Sequence, residues 1–204
     1  MTTTFIDPNY QKLLSDSNLD SFDAIWDAKV DWFEEPNERR GGWSGVGKFV
    51  LNDAGLERGI FLKRQQNHQR KTLAHPIAGQ PTFSCEFEMI QLLTNRQVPT
   101  LKPIAFGVRK TKQGDQAILM TEELLGFESF ENATDKLFSV ENAKPSISTQ
   151  NALIRQVAST VAKLHAASIQ HRSLYPKHLF VHKDGTQETR VIDLEKSRIK
   201  YFSM

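Results

Sequence analysis

Apolar residues along this chain recur with two different periods, and the switches between them outline the elements. Over residues 1–30, Leu13, Leu14, Leu19, Phe22, Ile25 and Trp26 fall roughly on one helical face, predicting a helical N-terminal extension packed on the first lobe of the chain. From Trp43 to Lys63 the pattern becomes strand-like. Glycines 41, 42, 45 and 47 lead into Lys48-Phe49-Val50-Leu51, Asn52-Asp53-Ala54-Gly55 makes a turn, and Gly59-Ile60-Phe61-Leu62-Lys63 returns. A polar, basic loop over 64–81 closes at Pro81. Next comes a helix, with Thr82 as its N-cap and Phe87, Ile90, Leu92 and Leu93 as apolar positions. Beyond Pro99 and Pro103 come strands over 104–109 and 117–121, joined by a turn at Thr111-Lys112-Gln113-Gly114-Asp115. Residues 126–149 read as a short helix and a loop containing Pro145. From Asn151, Leu153, Ile154, Val157, Val161 and Leu164 mark an amphipathic helix. The strands 179–181 and 191–193 come last, separated by a Lys183-Asp184-Gly185 turn.

Composition narrows the classes. With 204 residues the chain can bury one good core or two small lobes, and 39% hydrophobic with 25% charged residues is ordinary for a globular protein. A net charge of +2 gives no case for nucleic acid as a partner. The lone Cys85 precludes an internal disulfide, and no Cys/His spacing suits zinc. The N-terminus lacks a basic and an apolar stretch in signal-peptide order, and no apolar run approaches the ~20 residues of a membrane span. A cytoplasmic protein is therefore expected, with peripheral membrane contact through a basic face left open.

Taken singly, the candidate chemical parts are ambiguous. The glycines around Gly41, Gly42 and Gly45 suit either a tight turn or backbone amides approaching phosphate oxygens. Lys63 suits either a solvated strand end or an ammonium held over a cleft and paired to Glu86 or, alternatively, Glu88. His171-Arg172-Ser173 and the strand-exit Asp193 are equally uninformative alone. Their order is informative: Gly-rich hairpin, strand lysine, helix glutamate, paired strands, long helix, His-Arg-x loop, hairpin, apolar-apolar-Asp is the order of parts in a protein kinase. The expected fold is α+β and protein-kinase-like in two lobes. An antiparallel N-lobe sheet with one C-type helix (31–124) would succeed the extension (1–30), and a short, truncated or reduced, helical C-lobe would occupy 125–204.

The finer resemblance is to the bacterial lipopolysaccharide core kinases, the InaA-like and Kdo/heptose kinase family. It is carried by Arg40-Gly41-Gly42-Trp43-Ser44-Gly45-Val46, by Phe61-Leu62-Lys63-Arg64-Gln65 with Asn67-His68, and by Pro81-Thr82-Phe83 before Glu86-Phe87. Leu164-His165-Ala166-Ala167, the loop from His171 through Tyr175-Pro176-Lys177-His178 to Val181, and Ile192-Asp193-Leu194-Glu195-Lys196 complete it. The resemblance implies ATP and Mg²⁺ as cofactors. Backbone around Gly41, Gly42 and Gly45 would cover the phosphates, Lys63 would bind them and pair with Glu86, and the segment containing Glu122 would meet adenine through its backbone. Asp193 would hold Mg²⁺, and His178 would make a second metal or phosphate contact.

Ser173 departs from the kinase pattern, standing where active kinases carry the catalytic-loop aspartate. General-base help is worth about 10²–10⁴-fold, whereas phosphoryl transfer depends chiefly on positioning and electrostatics. Glu195 and His171 are candidate replacement bases. Three readings result. The first is an ATP-dependent kinase acting on a hydroxyl of a lipopolysaccharide core sugar, Kdo or heptose, at the inner membrane surface. The others are a pseudokinase that binds nucleotide without turnover, and a protein Ser/Thr kinase or small-molecule phosphotransferase. Residues 63–71, with four basic residues and no acidic one, read as a solvated loop or as an anion-binding face for glycolipid or membrane. The stretch Arg198-Ile199-Lys200-Tyr201-Phe202 looks like the start of a further element.

Overall fold

Burial alternates along residues 56–66: Ile60, Leu62 and Arg64 are buried on one side, while Phe61 and Lys63 are half-buried on the other. That period of two belongs to a strand whose two faces meet different neighbours. The computed structural model describes residues 2–39, 41–138, 146–186 and 188–200. Arg40, Pro145, Tyr201 and Phe202, named above, lie outside them. The chain divides into two units, Met1–Phe87 with Lys102–Glu123, and Glu88–Leu101 with Leu124–Met204.

The first unit is built on a six-stranded antiparallel sheet. Its elements are β1 (Thr2–Ile6), α1 (Gln11–Asp16), α2 (Phe22–Trp26), β2 (Asp31–Arg39), β3 (Gly42–Asp53), β4 (Leu56–Gln66), β5 (Gln69–Arg70), β6 (Gln80–Pro81), the start of α3 (Thr82–Asn95), β7 (Pro103–Thr111) and β8 (Gly114–Glu122). The sheet order is β1-β7-β8-β4-β3-β2. On one face Leu13, Leu14, Leu19, Phe22 and Ile25 pack with Ile60, Leu62, Ile104, Ile118 and Met120. Each fully buried aliphatic stabilises by roughly 1.5–3 kcal/mol. Helices as short as α1 and α2 are not stable alone, so this burial holds them, helped by the Ser21 hydroxyl accepting from the Ala24 amide. On the other face the Phe87 ring of α3 stacks on Phe106 at 4.2 Å and tilts against Phe5 at 5.1 Å.

Several elements differ from expectation. The first residues of the predicted helical extension form an edge strand, with Thr2 opposite Arg109 and Ile6 opposite Ala105. A further strand, β2, is not signalled by the pattern: it contains Pro36 and breaks register between Trp32 and Asn37, which erases any alternation. Thr82 begins α3, but its hydroxyl donates to Gln65 Oε1 at 2.7 Å instead of capping the helix.

The second unit contains the remainder of α3, β9 (Phe127–Ser129), α4 (Phe130–Phe138), α5 (Ile147–Ala166), β10 (Ile169–Gln170), β11 (Leu179–His182), β12 (Arg190–Val191) and β13 (Arg198–Ile199). The long helix starts earlier than the apolar periodicity predicts because Ser146 caps it, accepting from the Thr149 amide at 3.1 Å. It buries Val157, Thr160 and Leu164, whereas Ile154 points outward. Thr160 takes a place on the buried face because its hydroxyl donates to the Thr189 carbonyl at 3.1 Å. The expected strand over 191–193 stops at Val191, where Thr100 Oγ1 donates to the Val191 carbonyl at 2.7 Å. Arg198 and Ile199 do open an element, pairing with β10.

Candidate functional site

In the first unit β3 and β4 pair so that Val46 lies opposite Lys63, one residue along from the buried Leu62. Lys63 therefore projects on the face that carries α3. There its Nζ donates to both oxygens of Glu86, 2.7 Å each, with the Phe83 ring 5.8 Å from the ammonium. Glu86 is 1% exposed and Lys63 17%, so this ion pair is largely withdrawn from water. Such a pair fixes the position of its ammonium, and losing either partner strands the other charge. Glu88, the other candidate partner, is exposed. Gln65, on the same strand, accepts from the Thr82 hydroxyl and from the Phe83 amide at 2.9 Å, tying the start of α3 to β4.

The predicted phosphate-covering glycines have packing duties of their own. Gly42 and Gly45 lie inside β3. A Cβ on Gly42 would fall 2.5 Å from the Gln66 carbonyl oxygen, and one on Gly45 2.8 Å from the Trp32 ring. Of the three, only Gly41 sits at the β2–β3 turn with positive φ, +76°. Glu122 is also occupied: its side chain accepts from Arg58 at 3.0 Å, and its amide donates to the Lys102 carbonyl at 3.1 Å. It also helps burial push the Tyr10 phenol well above its ordinary range. The Glu123 amide likewise donates to the Gly59 carbonyl at 2.9 Å. Neither amide is thus available to adenine in this arrangement. The sequence pattern did not single out Lys48 and Glu123, which pair at 2.5 Å beside the Phe61 ring; a lysine on the Gly-rich strand was the available signal.

The second unit gathers His171, Ser173, His178 and Asp193. His171 is 3% exposed. Its Nε2 lies 2.8 Å from the Ile192 carbonyl, which can only accept, so Nε2 carries the proton. Nδ1 accepts from the Ser173 amide at 3.3 Å. Burial lowers its pKa, favouring this neutral form. Both ring nitrogens are thus engaged, and His171 braces the loop against residue 192. Ser173 stands in the braced loop, and its carbonyl lies 2.7 Å from His178 Nδ1. That carbonyl also can only accept, so Nδ1 holds a proton, and Nε2 lies 3.2 Å from Asp193 Oδ2. Arg172 and Asp193 both adopt left-handed backbone, φ +67° and +58°. Such conformations persist only where surrounding contacts over-determine them. Glu195, the other candidate base, lies in the next short turn with Lys196 at 3.6 Å.

One imidazole nitrogen and one carboxylate oxygen converging in this way fit a divalent cation that takes its other ligands from phosphate and water. No cluster of three or more His, Cys, Asp or Glu suited to a metal occurs among the described residues.

The model of the lipopolysaccharide kinase (Kdo/WaaP) family matches residues 23–203. The chain belongs to the Kdo/WaaP lipopolysaccharide kinase family. Among its Kdo/WaaP relatives, protein InaA of Escherichia coli K12 is 33% identical over 184 residues, covering 89% of this chain and 81% of InaA. The lipopolysaccharide core heptose(I) kinase WaaP of the same strain is 31% identical over 135 residues, covering 63% of this chain and 49% of WaaP. A solved structure of WaaP in complex with acyl carrier protein shares the fold, with a TM-score of 0.67 at 21% identity over 97% of this chain and 73% of that one. The Kdo/WaaP kinase-like fold thus matches the expected α+β class.

Among the described residues no helix is long and apolar enough to cross a membrane. The basic run over 63–71 is less available than its composition suggests. Lys63 is paired with Glu86, and Arg64 is buried with its guanidinium donating to the Trp26 carbonyl at 2.6 Å.

Proposed function

We propose that this Kdo/WaaP-family chain is an ATP-dependent kinase that phosphorylates a hydroxyl of a lipopolysaccharide core sugar, Kdo or heptose, at the cytoplasmic face of the inner membrane. The observation carrying this reading is the bidentate Lys63–Glu86 pair, held by the strand and helix that the kinase order of parts requires. ATP with Mg²⁺ supplies the γ-phosphoryl group and the cationic charge that stabilises its transfer. Lys63, positioned by Glu86, presents a fixed positive charge to phosphate oxygens. Asp193 and His178 offer one oxygen and one nitrogen to the cation. His171 holds the loop bearing Ser173, whose hydroxyl can hydrogen-bond an acceptor hydroxyl without taking its proton. Proton removal is therefore not assigned to that side chain.

The test is transfer of radiolabel from γ-labelled ATP to deacylated core oligosaccharides bearing Kdo or heptose. Incorporation that requires Mg²⁺ and disappears in D193N supports the reading. A second reading, nucleotide binding without turnover, is favoured by one specific observation: Ser173 replaces a carboxylate, and its neighbour His171 has both ring nitrogens committed. ATP binding without incorporation into either acceptor would select it.

A further inference from the structure

Between β5 and β6 the chain runs out through residues 71–79 and back. Two aliphatic side chains there face solvent almost completely, Leu73 at 90% exposure and Ile77 at 87%, above every other large hydrophobic among the described residues. Nothing in the phosphotransfer reading uses them. The excursion has a defined base and tip. Gln69 pairs with Pro81 and Arg70 with Gln80, and the Thr82 amide donates to the His68 carbonyl at 3.3 Å. At the tip, Thr72 and His75 exchange backbone hydrogen bonds of 3.3 and 3.2 Å, and the His75 amide also donates to Thr72 Oγ1 at 3.1 Å. Leu73 is thus presented on a closed turn.

Within the excursion itself every charged side chain is basic. Residues 66–81 include Arg70, Lys71, His68 and His75 and contain no aspartate or glutamate. The β7–β8 turn adjoins the base of the excursion: the Asn67 amide donates to the Asp115 carbonyl at 2.8 Å, and Gln66 donates to Gln113 at 3.2 Å. That turn adds exposed Lys112, with Lys110 close by on β7. The carboxylate of Asp115 accepts from Gln69 at 3.2 Å. Aliphatic tips flanked by basic side chains match the layering of an anionic bilayer, where apolar groups enter the acyl boundary and cations stay among the headgroups. A protein groove makes no comparable demand for this layering.

We propose that the β5–β6 excursion is a membrane-docking element, inserting Leu73 and Ile77 into an anionic lipid surface while Lys71 and Lys112 contact lipid phosphates. This deepens the reading of a glycolipid acceptor, on which it rests, by naming the surface where the enzyme meets it. The docking step itself requires neither nucleotide nor acceptor.

The test uses the full chain and acceptor-free vesicles of phosphatidylglycerol with phosphatidylcholine, compared with phosphatidylcholine alone, in co-sedimentation at low and high salt. Preferential binding to the anionic vesicles is expected. L73S/I77S should weaken it by about tenfold or more, as burial of leucine-sized side chains implies. K71Q/K112Q should weaken it severalfold and flatten its salt dependence. Both variants should keep the wild-type melting temperature, since these side chains are exposed. Wild-type binding no tighter to anionic than to neutral vesicles, or undiminished binding by L73S/I77S, would overturn the proposal. So would a wild-type dimer that L73S/I77S converts to monomer in sedimentation velocity, which would assign the tip to a second copy of the chain. Transfer to a deacylated, soluble acceptor should be unchanged in L73S/I77S. Its loss would place the excursion in phosphotransfer instead, whereas its absence in wild type would fail the kinase reading and leave docking standing.

Discussion

The two units differ in how fully each keeps the residues expected of a kinase. In the first, the strand lysine and helix glutamate meet in a buried, bidentate pair. In the second, the loop keeps its brace, His171, and its strand-exit carboxylate, Asp193, but has Ser173 and His178 at the positions where a carboxylate and an amide are usual. Phosphate binding depends on fixed charge and tolerates little change. Proton removal is worth less in a loose phosphoryl transition state and can be given up at a lower cost in rate. On the kinase reading proposed above, the contrast is between a fixed charge kept for phosphate and a weakened arrangement for activating the acceptor.

Removing the second unit's carboxylate should cost the most. D193N should lower Mg²⁺-dependent transfer by about 10³-fold or more while leaving the melting temperature near that of wild type; equal activity would remove Asp193 from metal binding. In the first unit, E86Q should cost about 3–5 kcal/mol of stability in urea unfolding, because it leaves the Lys63 ammonium without its buried counter-charge. A loss within experimental error would mean that the pair is not withdrawn from water as described. S173D acts on the contrast in the opposite direction: restoring a carboxylate should raise turnover by about 10²-fold if proton removal is the missing function. Unchanged turnover would instead show that the loop has adapted around serine.

A pH dependence should be the most modest change. The pKa of His171 is held below the ordinary 6.5 by burial, so the unfolded chain takes up its proton first as pH falls. Its contribution is fully present above about pH 6.5 and is lost as pH falls toward the lowered value. Melting temperatures measured from pH 8 downward should decline more steeply in wild type than in H171N over that window.

Much of this is legible in the sequence. Strands β7 and β8, the core of α5 and the Lys63–Glu86 partnership emerge from period, punctuation and order. The parts that escape depend on neighbours distant in sequence. Thr2–Ile6 becomes a strand because β7 offers it an open edge, and its run of β-branched threonines is the local hint. β2 carries Pro36 and broken register, so only its pairing with β3 defines it. The glycines of β3 look like a phosphate loop, yet Gly42 and Gly45 make room for the Gln66 carbonyl and the Trp32 ring, contacts that no linear pattern displays. His171, a candidate base from its place in the loop, has both ring nitrogens engaged by residues that sequence order does not reveal. Local chemistry named the candidates, and long-range hydrogen bonds show which partners each one meets.

The roles proposed for Lys63 and for Asp193 can be checked by Mg²⁺-dependent ATP binding, in a thermal-shift titration of wild type, K63A and D193N. Wild type should be stabilised by MgATP in a way that grows with concentration and is lost in both variants. Absence of any shift in folded wild-type protein at saturating MgATP, or a shift that survives both substitutions, would contradict the roles proposed for these two residues.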